Sequence, residues 1–399
     1  MIEVSESLAQ VIAAATPLQA EVLPLSRALH RVLAAPVHSV CELPPFTQSA
    51  VDGYALRHED ITSAPLALSL VQQQIAAAPQ ESVLVLPADT AARIFTGGMM
   101  PVGADTVVRQ ELTQRPYSDS VVILEAVAKG TDVRYAGEEI HAGAFLADRG
   151  SLLTPGLIGA LAMAGVQSVS VARQPRIVVL ITGDEVVAPG STQRPGQIPD
   201  ANGPLLSAHL QNWQCPPLRI EYVADQEPAV RDAIDRALND ADLVLSTGGV
   251  SVGDFDFVPA VSEAVGAERV LWKVAQKPGM PLFVARRRHS LLFGLPGNPA
   301  SVMVNLHVYV RSALDAMCGL DPAARWQTVA APQNLKRLPD KTFWMRARIS
   351  TDAAGQLQVQ SLGGQASHML GNLAKANALI RVPGFHEADE CEVLRWVGF

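Results

Sequence analysis

The sequence lacks the features that mark secreted and membrane proteins. Its first segment, MIEVSESLAQ, carries acidic residues and no basic stretch, which argues against a signal peptide. No apolar run approaches the length needed to span a bilayer. The 4 cysteines form no CxxC pair, and this usage fits a reducing compartment. The sequence therefore predicts a cytoplasmic protein that does not contact the membrane.

Positive charge is also scarce. The formal net charge of -8 argues against a nucleic-acid-binding protein, because such affinity comes largely from cations that neutralise phosphates. Neither GxxxxGK[ST] nor GxGxxG occurs, so a P-loop ATPase and a Rossmann dehydrogenase lose their main support. Any anionic ligand must then be held by local cations and backbone amides, since the protein's overall field does not attract it.

What is present is a long, well-packed chain with several domains. It has 399 residues, of which 48% are hydrophobic and 18% charged. We expect an α/β multidomain fold: a central doubly wound α/β domain, a β-rich inserted domain, a small helical linker domain and a C-terminal β-barrel-like domain. The expected limits are 1–43 with 142–172 for the linker domain, 44–141 for the insert, 173–320 for the α/β domain and 321–399 for the tail.

Hydrophobic spacing and turn residues predict the individual elements. Asn202 and Pro204 are expected to be the N-cap and first residue of one helix. Short strands are expected in the insert, among them 83–86. Helices are expected at 3–15, 24–35, 154–164, 203–213, 228–239, 258–265 and 299–317. A parallel sheet is expected from strands 176–182, 218–223, 242–246, 270–275 and 290–295.

Every unusual loop of the central region follows one of these strands. The loops are TGDE (182–185), the segment at Asp225, TGGVSVGD (247–254) and LPGNP (295–299). The carboxyl ends of parallel strands lie at one edge of a sheet, where ligands bind. Glycine amides bind anions, and carboxylates beside an anion imply a divalent cation between them. One glycine-rich loop can be a plain turn, but four loops at one edge favour a phosphate-bearing ligand with a metal.

Several motifs in a fixed order resemble one family. They are PPFTQSAVDGYALR (44–57), RIFTGGMMPVGADTVVRQE (93–111), ITGDEV (181–186), LSTGGVSVGDFDFV (245–258), KVAQKPGMPLFV (273–284) and GLPGNPASVMV (294–304), with SHML and ANALIRVPG in the tail. Together they resemble the MoeA family of molybdopterin molybdenumtransferases, which is related to the gephyrin E domain. The resemblance extends over essentially the whole chain.

The resemblance implies an activity and its partners. Molybdate is inserted into adenylylated molybdopterin, AMP is released and molybdenum cofactor is formed. It also implies Mg2+, a homodimer with each active site formed between subunits, and contact with other proteins of molybdenum cofactor biosynthesis.

The site residues carried over by this resemblance fall into three sets. The catalytic set is Asp52, Thr96, Glu185, Asp225, Asp256, Lys273 and Lys277. Within it, Glu185, Asp225 and Asp256 are the expected Mg2+ ligands, and the two lysines are expected to hold molybdate or the pterin phosphate. The substrate-binding set combines loop amides with tail residues: Gly248, Gly249, Ser251, Gly253, Pro296, Gly297, Asn298, Pro299, Arg346 and Ser367.

Some assignments have competitors. Arg348 competes with Arg346, an ordinary Asp-Gly turn competes with a functional Asp52, and plain exposure beside Trp272 competes with a functional Lys273. Asp184 fits a turn cap and a functional role equally well.

Departures from the family pattern occur at two places. Thr47, Gln48 and Val51 interrupt the first motif, and Met280 stands where many members have lysine, which removes one anion contact.

Two other classes of function remain open. An adenylyltransferase or nucleotide hydrolase could share the central α/β module, but such proteins lack the flanking β-rich regions. A non-catalytic scaffold could keep the fold, but the retained acidic and lysine residues argue against lost chemistry.

Overall fold

Successive β-rich and helical regions surround a central α/β sheet. The structure is a computed structural model that describes residues 1–76, 83–250, 257–330, 338–367, 369, 371–384 and 390–395. None of the helices in these ranges has the length and apolar character that a bilayer crossing requires. The α/β multidomain class is confirmed, and the domain limits remain predictions.

The α-helices alternate with strands in the central region. A π-helical segment, Leu306–Val310, connects the last two of them into one continuous stretch. The α-helices are Val4–Ala14, Pro155–Met163, Asn202–Asn212, Glu227–Asp240, Val258–Ala264, Pro299–Asn305 and Arg311–Cys318.

The central sheet has four neighbouring parallel strands and, beyond them at one edge, two more strands joined by antiparallel pairing. Alternate side chains of Ile177–Thr182 enter two different hydrophobic clusters, as expected for a strand covered by helices on both faces. The strand expected at 270–275 runs in the same direction as these four strands, but it pairs with Phe283–Arg287, an antiparallel strand that the sequence pattern did not predict. The spatial order is Arg219–Val223, Ile177–Thr182, Leu243–Thr247, Ser290–Leu295, Phe283–Arg287 and Glu268–Trp272.

The first helix packs against this central core. Val4, Val11 and Ala14 are buried on one side of the helix, at the spacing of an amphipathic helix, and belong to the same cluster as Ile177. The strand Ala20–Pro24 that follows pairs with Ser168–Ala172.

The prediction of a helix at 24–35 is wrong. Only a single 3-10 turn forms, at Leu25–Arg27, and His30 has a left-handed φ of 61°. The N–H groups of His30 and Leu33 donate to Leu153 O and Ser151 O across the domain, each at 2.9 Å. Pairing with distant backbone groups therefore replaces the local helical bonds that the apolar spacing suggested.

The inserted region forms a six-stranded sheet. Its neighbours are antiparallel, except that Leu66–Leu70 and Thr90–Ile94 run parallel. The strand expected at 83–86 is limited to a single bridge between Val85 and Val102. The spatial order is Thr106–Arg109, Gly53–Leu56, Thr90–Ile94, Leu66–Leu70, Ser120–Ile123 and Thr113–Tyr117. Two-residue ladders link this region to its surroundings: Val37–His38 with Phe145–Ala147, and Gln48–Ser49 with Val133–Arg134.

The tail forms a mixed sheet that includes a piece of the central region. Gln276–Lys277 pairs in parallel with Thr342–Thr351, so the loop that carries Lys277 is also an edge strand of the tail. Leu357–Ser361 pairs with the other end of Thr342–Thr351. The spatial order is Gln276–Lys277, Thr342–Thr351, Ala378–Val382, Glu390–Arg395 and Trp326–Ala330.

Candidate functional site

The loops after the first two parallel strands meet at the carboxyl edge of the central sheet. Asp225 N donates to Asp184 Oδ1 at 3.1 Å, so the Asp184 side chain joins the two loops. Glu185, the next residue, is exposed, whereas Asp225 is half-buried. Of the two functions left open for Asp184, its observed contact is structural: it positions the backbone of a predicted metal ligand.

Gly183 allows the Glu185 carboxylate to fold back over the chain. Its φ is 130°, and a Cβ there would lie 2.8 Å from Glu185 Oε2. A side chain at this position would displace the exposed carboxylate, and the backbone conformation itself favours glycine.

The glycine loop is tied to both neighbouring strands. Gly248 has a φ of 91°, and its N–H donates to Leu295 O at 2.9 Å. A Cβ on Gly248 would lie 2.7 Å from Thr182 Oγ1, which itself donates to Thr247 O at 3.0 Å. Gly249 O accepts from Val258 N at 3.1 Å. Ser251, Gly253 and Asp256 lie outside the described residues.

The LPGNP loop is held by a residue that sequence reasoning misassigned. Helix Asn202–Asn212 begins at Asn202, and the cap is Asp200, whose Oδ1 accepts from Asn202 N at 2.8 Å and from Gly203 N at 3.1 Å. Asn202 Nδ2 instead donates to Gly297 O at 2.8 Å. The signal for Asp200 was present, since an aspartate side chain near a helix start typically accepts hydrogen bonds from the first helical N–H groups.

Two further hydrogen bonds hold the segments around the LPGNP loop in place. Tyr222 Oη donates to Asp200 Oδ2 at 3.0 Å, and burial together with this carboxylate raises the pKa of Tyr222 to about 12. Asn298 precedes helix Pro299–Asn305 and its carbonyl accepts from Ser301 N at 2.9 Å. Pro296 lies in the same loop, which places the four predicted loop residues at the sheet edge.

Lys273 lies near the same edge, because its ammonium stacks on Trp272 beside the glycine loop. Its Nζ lies 4.6 Å from the centroid of the Trp272 ring, and Trp272 Nε1 donates to Val250 O at 3.2 Å. Lys273 has a left-handed φ of 68°, and its N–H donates to Leu282 O at 2.9 Å. The backbone therefore turns so that the ammonium stacks on an indole that contacts the glycine loop.

Lys277 lies on a loop that a buried amide holds in place. Gln276 Nε2 donates to Gly279 O at 2.9 Å and to Asn305 Oδ1 at 2.8 Å. Gln276 Oε1 accepts from Tyr309 Oη at 2.9 Å and from Trp344 Nε1 at 2.8 Å. Both donors and both acceptor positions of the Gln276 carboxamide are filled, and the four partners come from the loop, two helical segments and the tail.

Asp52 and Thr96 form a separate pair in the inserted sheet. Gly53 pairs with Ile94, so the residues just outside these strand ends are neighbours. Asp52 Oδ1 accepts from Thr96 N at 2.8 Å and from Thr96 Oγ1 at 2.7 Å. These two donors hold the pKa of the Asp52 carboxyl below its ordinary value, and the Arg93 guanidinium adds to the effect.

In the tail, Arg346 is buried and Arg348 is exposed. Arg346 Nη2 donates to Gly364 O at 2.7 Å and to Ala366 O at 3.1 Å, so it braces the loop that carries Ser367. Burial lowers the pKa of the Arg346 guanidinium. These contacts favour Arg346 over Arg348 as the arginine associated with Ser367.

The predicted residues that the structure describes form four groups. Glu185, Asp225, Lys273 and the loop glycines share the carboxyl edge, and Lys277 lies at the junction with the tail. Arg346 and Ser367 lie in the tail, and Asp52 with Thr96 lies in the insert. Within the described ranges, the hydrogen bonds of Asp52 and Thr96 do not reach the carboxyl edge. Those same ranges hold no group of three or more histidine, cysteine or acidic side chains that could bind a metal.

Known protein families match the chain along most of its length. Residues 2–165 match the MoeA N-terminal region (domain I and II), 178–316 match a domain described as a probable molybdopterin binding domain, and 328–396 match the MoeA C-terminal region (domain IV). A molybdopterin molybdenumtransferase from Haemophilus influenzae is 33% identical over 369 residues, covering 91% of this chain and 90% of that protein. The chain belongs to the molybdopterin molybdenumtransferase family.

Two further members of the family support the assignment. A molybdopterin molybdenumtransferase from a Nostoc species is 35% identical over 378 residues, covering 91% of this chain and 85% of that protein. The crystal structure of a molybdopterin biosynthesis MoeA protein from Pyrococcus horikosii superimposes with a TM-score of 0.81 at 25% identity, and it covers 100% of both chains. The family is one of transferases of molybdenum cofactor biosynthesis.

Proposed function

We propose that the protein inserts molybdenum from molybdate into adenylylated molybdopterin and releases AMP. The observation that carries this proposal is the group of loops at the carboxyl edge, where Asp184 joins the Glu185 and Asp225 segments beside Gly248 and Gly249. Family membership supplies the reaction class, and this edge is where an open α/β sheet binds its ligand.

The charges at this edge suit an anionic substrate. Molybdate and the pterin nucleotide both carry several negative charges, while the whole protein is acidic. Lys273 supplies local positive potential, because its ammonium stacks on Trp272 beside the glycine loop. A cation held in place before the substrate arrives stabilises developing charge without reorganising.

Mg2+ fits the donor set at the edge. Glu185 and Asp225 are hard oxygen ligands, and Mg2+ needs only one or two carboxylates because it retains several waters. We propose that these two residues, with Asp256, would hold the ion, which when bound would neutralise charge on the phosphoanhydride. The protein residues themselves orient the nucleotide and exclude water.

We also propose a homodimer, in which Asp52 and Thr96 of one subunit complete the carboxyl edge of the other. The pair makes its described contacts within its own sheet, so a second copy is the natural partner for it. Val40, Phe145 and Met163 are 67%, 60% and 67% exposed, and this apolar surface favours association. Other proteins of molybdenum cofactor biosynthesis remain predicted partners.

The proposal is tested by incubating purified protein with adenylylated molybdopterin, Mg2+ and molybdate. We expect AMP release and reconstitution of an apo-molybdoenzyme. A matched reaction without molybdate separates insertion from simple hydrolysis of the nucleotide. Binding of the pterin nucleotide without either product would instead support the scaffold function.

A further inference from the structure

A second lysine lies beside the Lys277 loop, and it comes from the tail. Lys341 Nζ is 4.0 Å from Met280 Sδ. Met280 itself is anchored, since its carbonyl accepts from Val274 N at 2.9 Å. The ammonium group of Lys341 is therefore at the end of the segment that begins with Lys277.

Strand register places the two lysines on one side of the junction. Lys277 pairs with Phe343 in a parallel ladder, and Thr342 N donates to Ala275 O at 3.0 Å. Side chains alternate along a strand, so Lys341 shares the side of Phe343 and hence that of Lys277. The contact with Met280 agrees with this register.

Neither ammonium has a carboxylate partner within 4.0 Å in the part of the chain that the structure describes. The ion pairs of the tail and the neighbouring helix involve arginines, namely Arg311, Arg325 and Arg381. Two unpaired cations on one face repel each other, and a bound anion removes that cost. Compact ammonium groups suit a tetrahedral oxyanion, which they contact as point charges.

We propose that Lys341 is an oxyanion-binding residue of the site and replaces the charge that Met280 does not carry. The ligand class is a tetrahedral oxyanion, either molybdate or the phosphate of the nucleotide. This inference rests on the proposed function, because it assumes that Lys277 faces an anionic substrate. It assigns a role to a residue that the sequence motifs did not single out.

The test is calorimetric titration of the purified protein with sodium molybdate and, separately, with AMP. The variants are Lys341→Met, Lys341→Arg and the double variant Met280→Lys with Lys341→Met. Lys129→Met is the matched control, because it removes one lysine charge from the inserted region, where Lys129 pairs with Asp105. The KM for molybdate in the AMP-release assay is measured for the same set.

We expect Lys341→Met to weaken binding of one anion roughly tenfold, the loss of about one charge-assisted contact. The affected titration identifies the anion as molybdate or as nucleotide phosphate. Lys341→Arg and the double variant should remain within about threefold of the parent, because each retains a cation at this position.

Unchanged binding and KM in Lys341→Met, with an active parent protein, would overturn the assignment and leave the proposed function intact. A parent protein that binds neither anion and releases no AMP would remove the proposed function and this assignment together.

Discussion

The carboxylate of Asp52 accepts two hydrogen bonds from a single residue, so its ionisation depends on Thr96. The lowered pKa means that the ionised form persists to more acidic pH than for an ordinary aspartate. An Asp-Gly turn alone would not require this pair. The functional role of Asp52 stays a prediction.

Thr96→Val removes the hydroxyl donor and keeps the backbone donor. We expect the Asp52 pKa to rise toward its ordinary value, so that the acid limb of the pH profile for AMP release moves to higher pH. Carbon-13 NMR titration of the carboxyl group measures the pKa directly. Thr96→Ser keeps the hydroxyl and should leave the titration unchanged; an unaltered Asp52 titration in Thr96→Val would refute the coupling.

Asp225 is a predicted metal ligand whose backbone N–H is held by the Asp184 carboxylate. We expect Asp225→Ala to lower the rate of AMP release about a hundredfold or more. Its thermal unfolding temperature should stay close to that of the parent, since the residue is half-buried in a loop. Asp119→Ala, at an exposed turn of the insert, is the control. Undiminished turnover would exclude Asp225 from the metal site.

Among the elements, the loop after Val274 is the one whose position depends most on buried polar contacts. Gln276, Asn305, Tyr309 and Trp344 are each fully buried, and their hydrogen bonds tie the central helices to the tail sheet. A fully satisfied buried network specifies one arrangement, because every alternative leaves a polar group unpaired.

Gln276→Leu should destabilise the protein by about 2–4 kcal/mol, because it leaves the donors of Tyr309 and Trp344 and the Asn305 carbonyl buried without a hydrogen-bond partner. Urea unfolding followed by tryptophan fluorescence measures the change. Tyr309→Phe removes a single hydroxyl and should cost about 1 kcal/mol. Equal losses in the two variants would contradict the role of Gln276 as the common partner of these hydrogen bonds.

The elements also show where local pattern is insufficient. The spacing of apolar residues at 24–35 fits a helix, yet Leu33 N bonds to Ser151 O, far away in the sequence. The strand Glu268–Trp272 was predicted, but its antiparallel neighbour Phe283–Arg287 was not. Both outcomes are decided by distant pairing, which carries no local signal.

On the scale of the whole molecule, the insert and the central sheet carry different parts of the proposed site. If each site combines two subunits, then mixing Asp52→Ala with Asp225→Ala protein creates hybrid dimers in which one site is intact. Random exchange should recover about a quarter of the parent activity, since half of the dimers are hybrids with one working site of two. The readout is AMP release after subunit exchange.

The matched control mixes Asp225→Ala with Glu185→Ala. These residues lie on neighbouring loops of the same sheet edge, so every site in a hybrid lacks one of them and no activity should return. Recovery in the control, or none in the first mixture, would contradict a site shared between subunits.

The sequence by itself determined the order of the regions, five of the six central strands and the loops that end them. Buried strands and glycine turns have strong local signatures, and the motifs containing Glu185, Asp225 and Gly248 follow them directly. It also singled out Asp52 and Thr96, although they are far apart along the chain.

Tertiary structure alone decided which side chains meet. The hydrogen bond from Asn202 to Gly297 O, the four hydrogen bonds of Gln276 and the approach of Lys341 to Met280 join segments that are separated along the chain. Such contacts depend on packing between elements, and packing is a property of the folded whole.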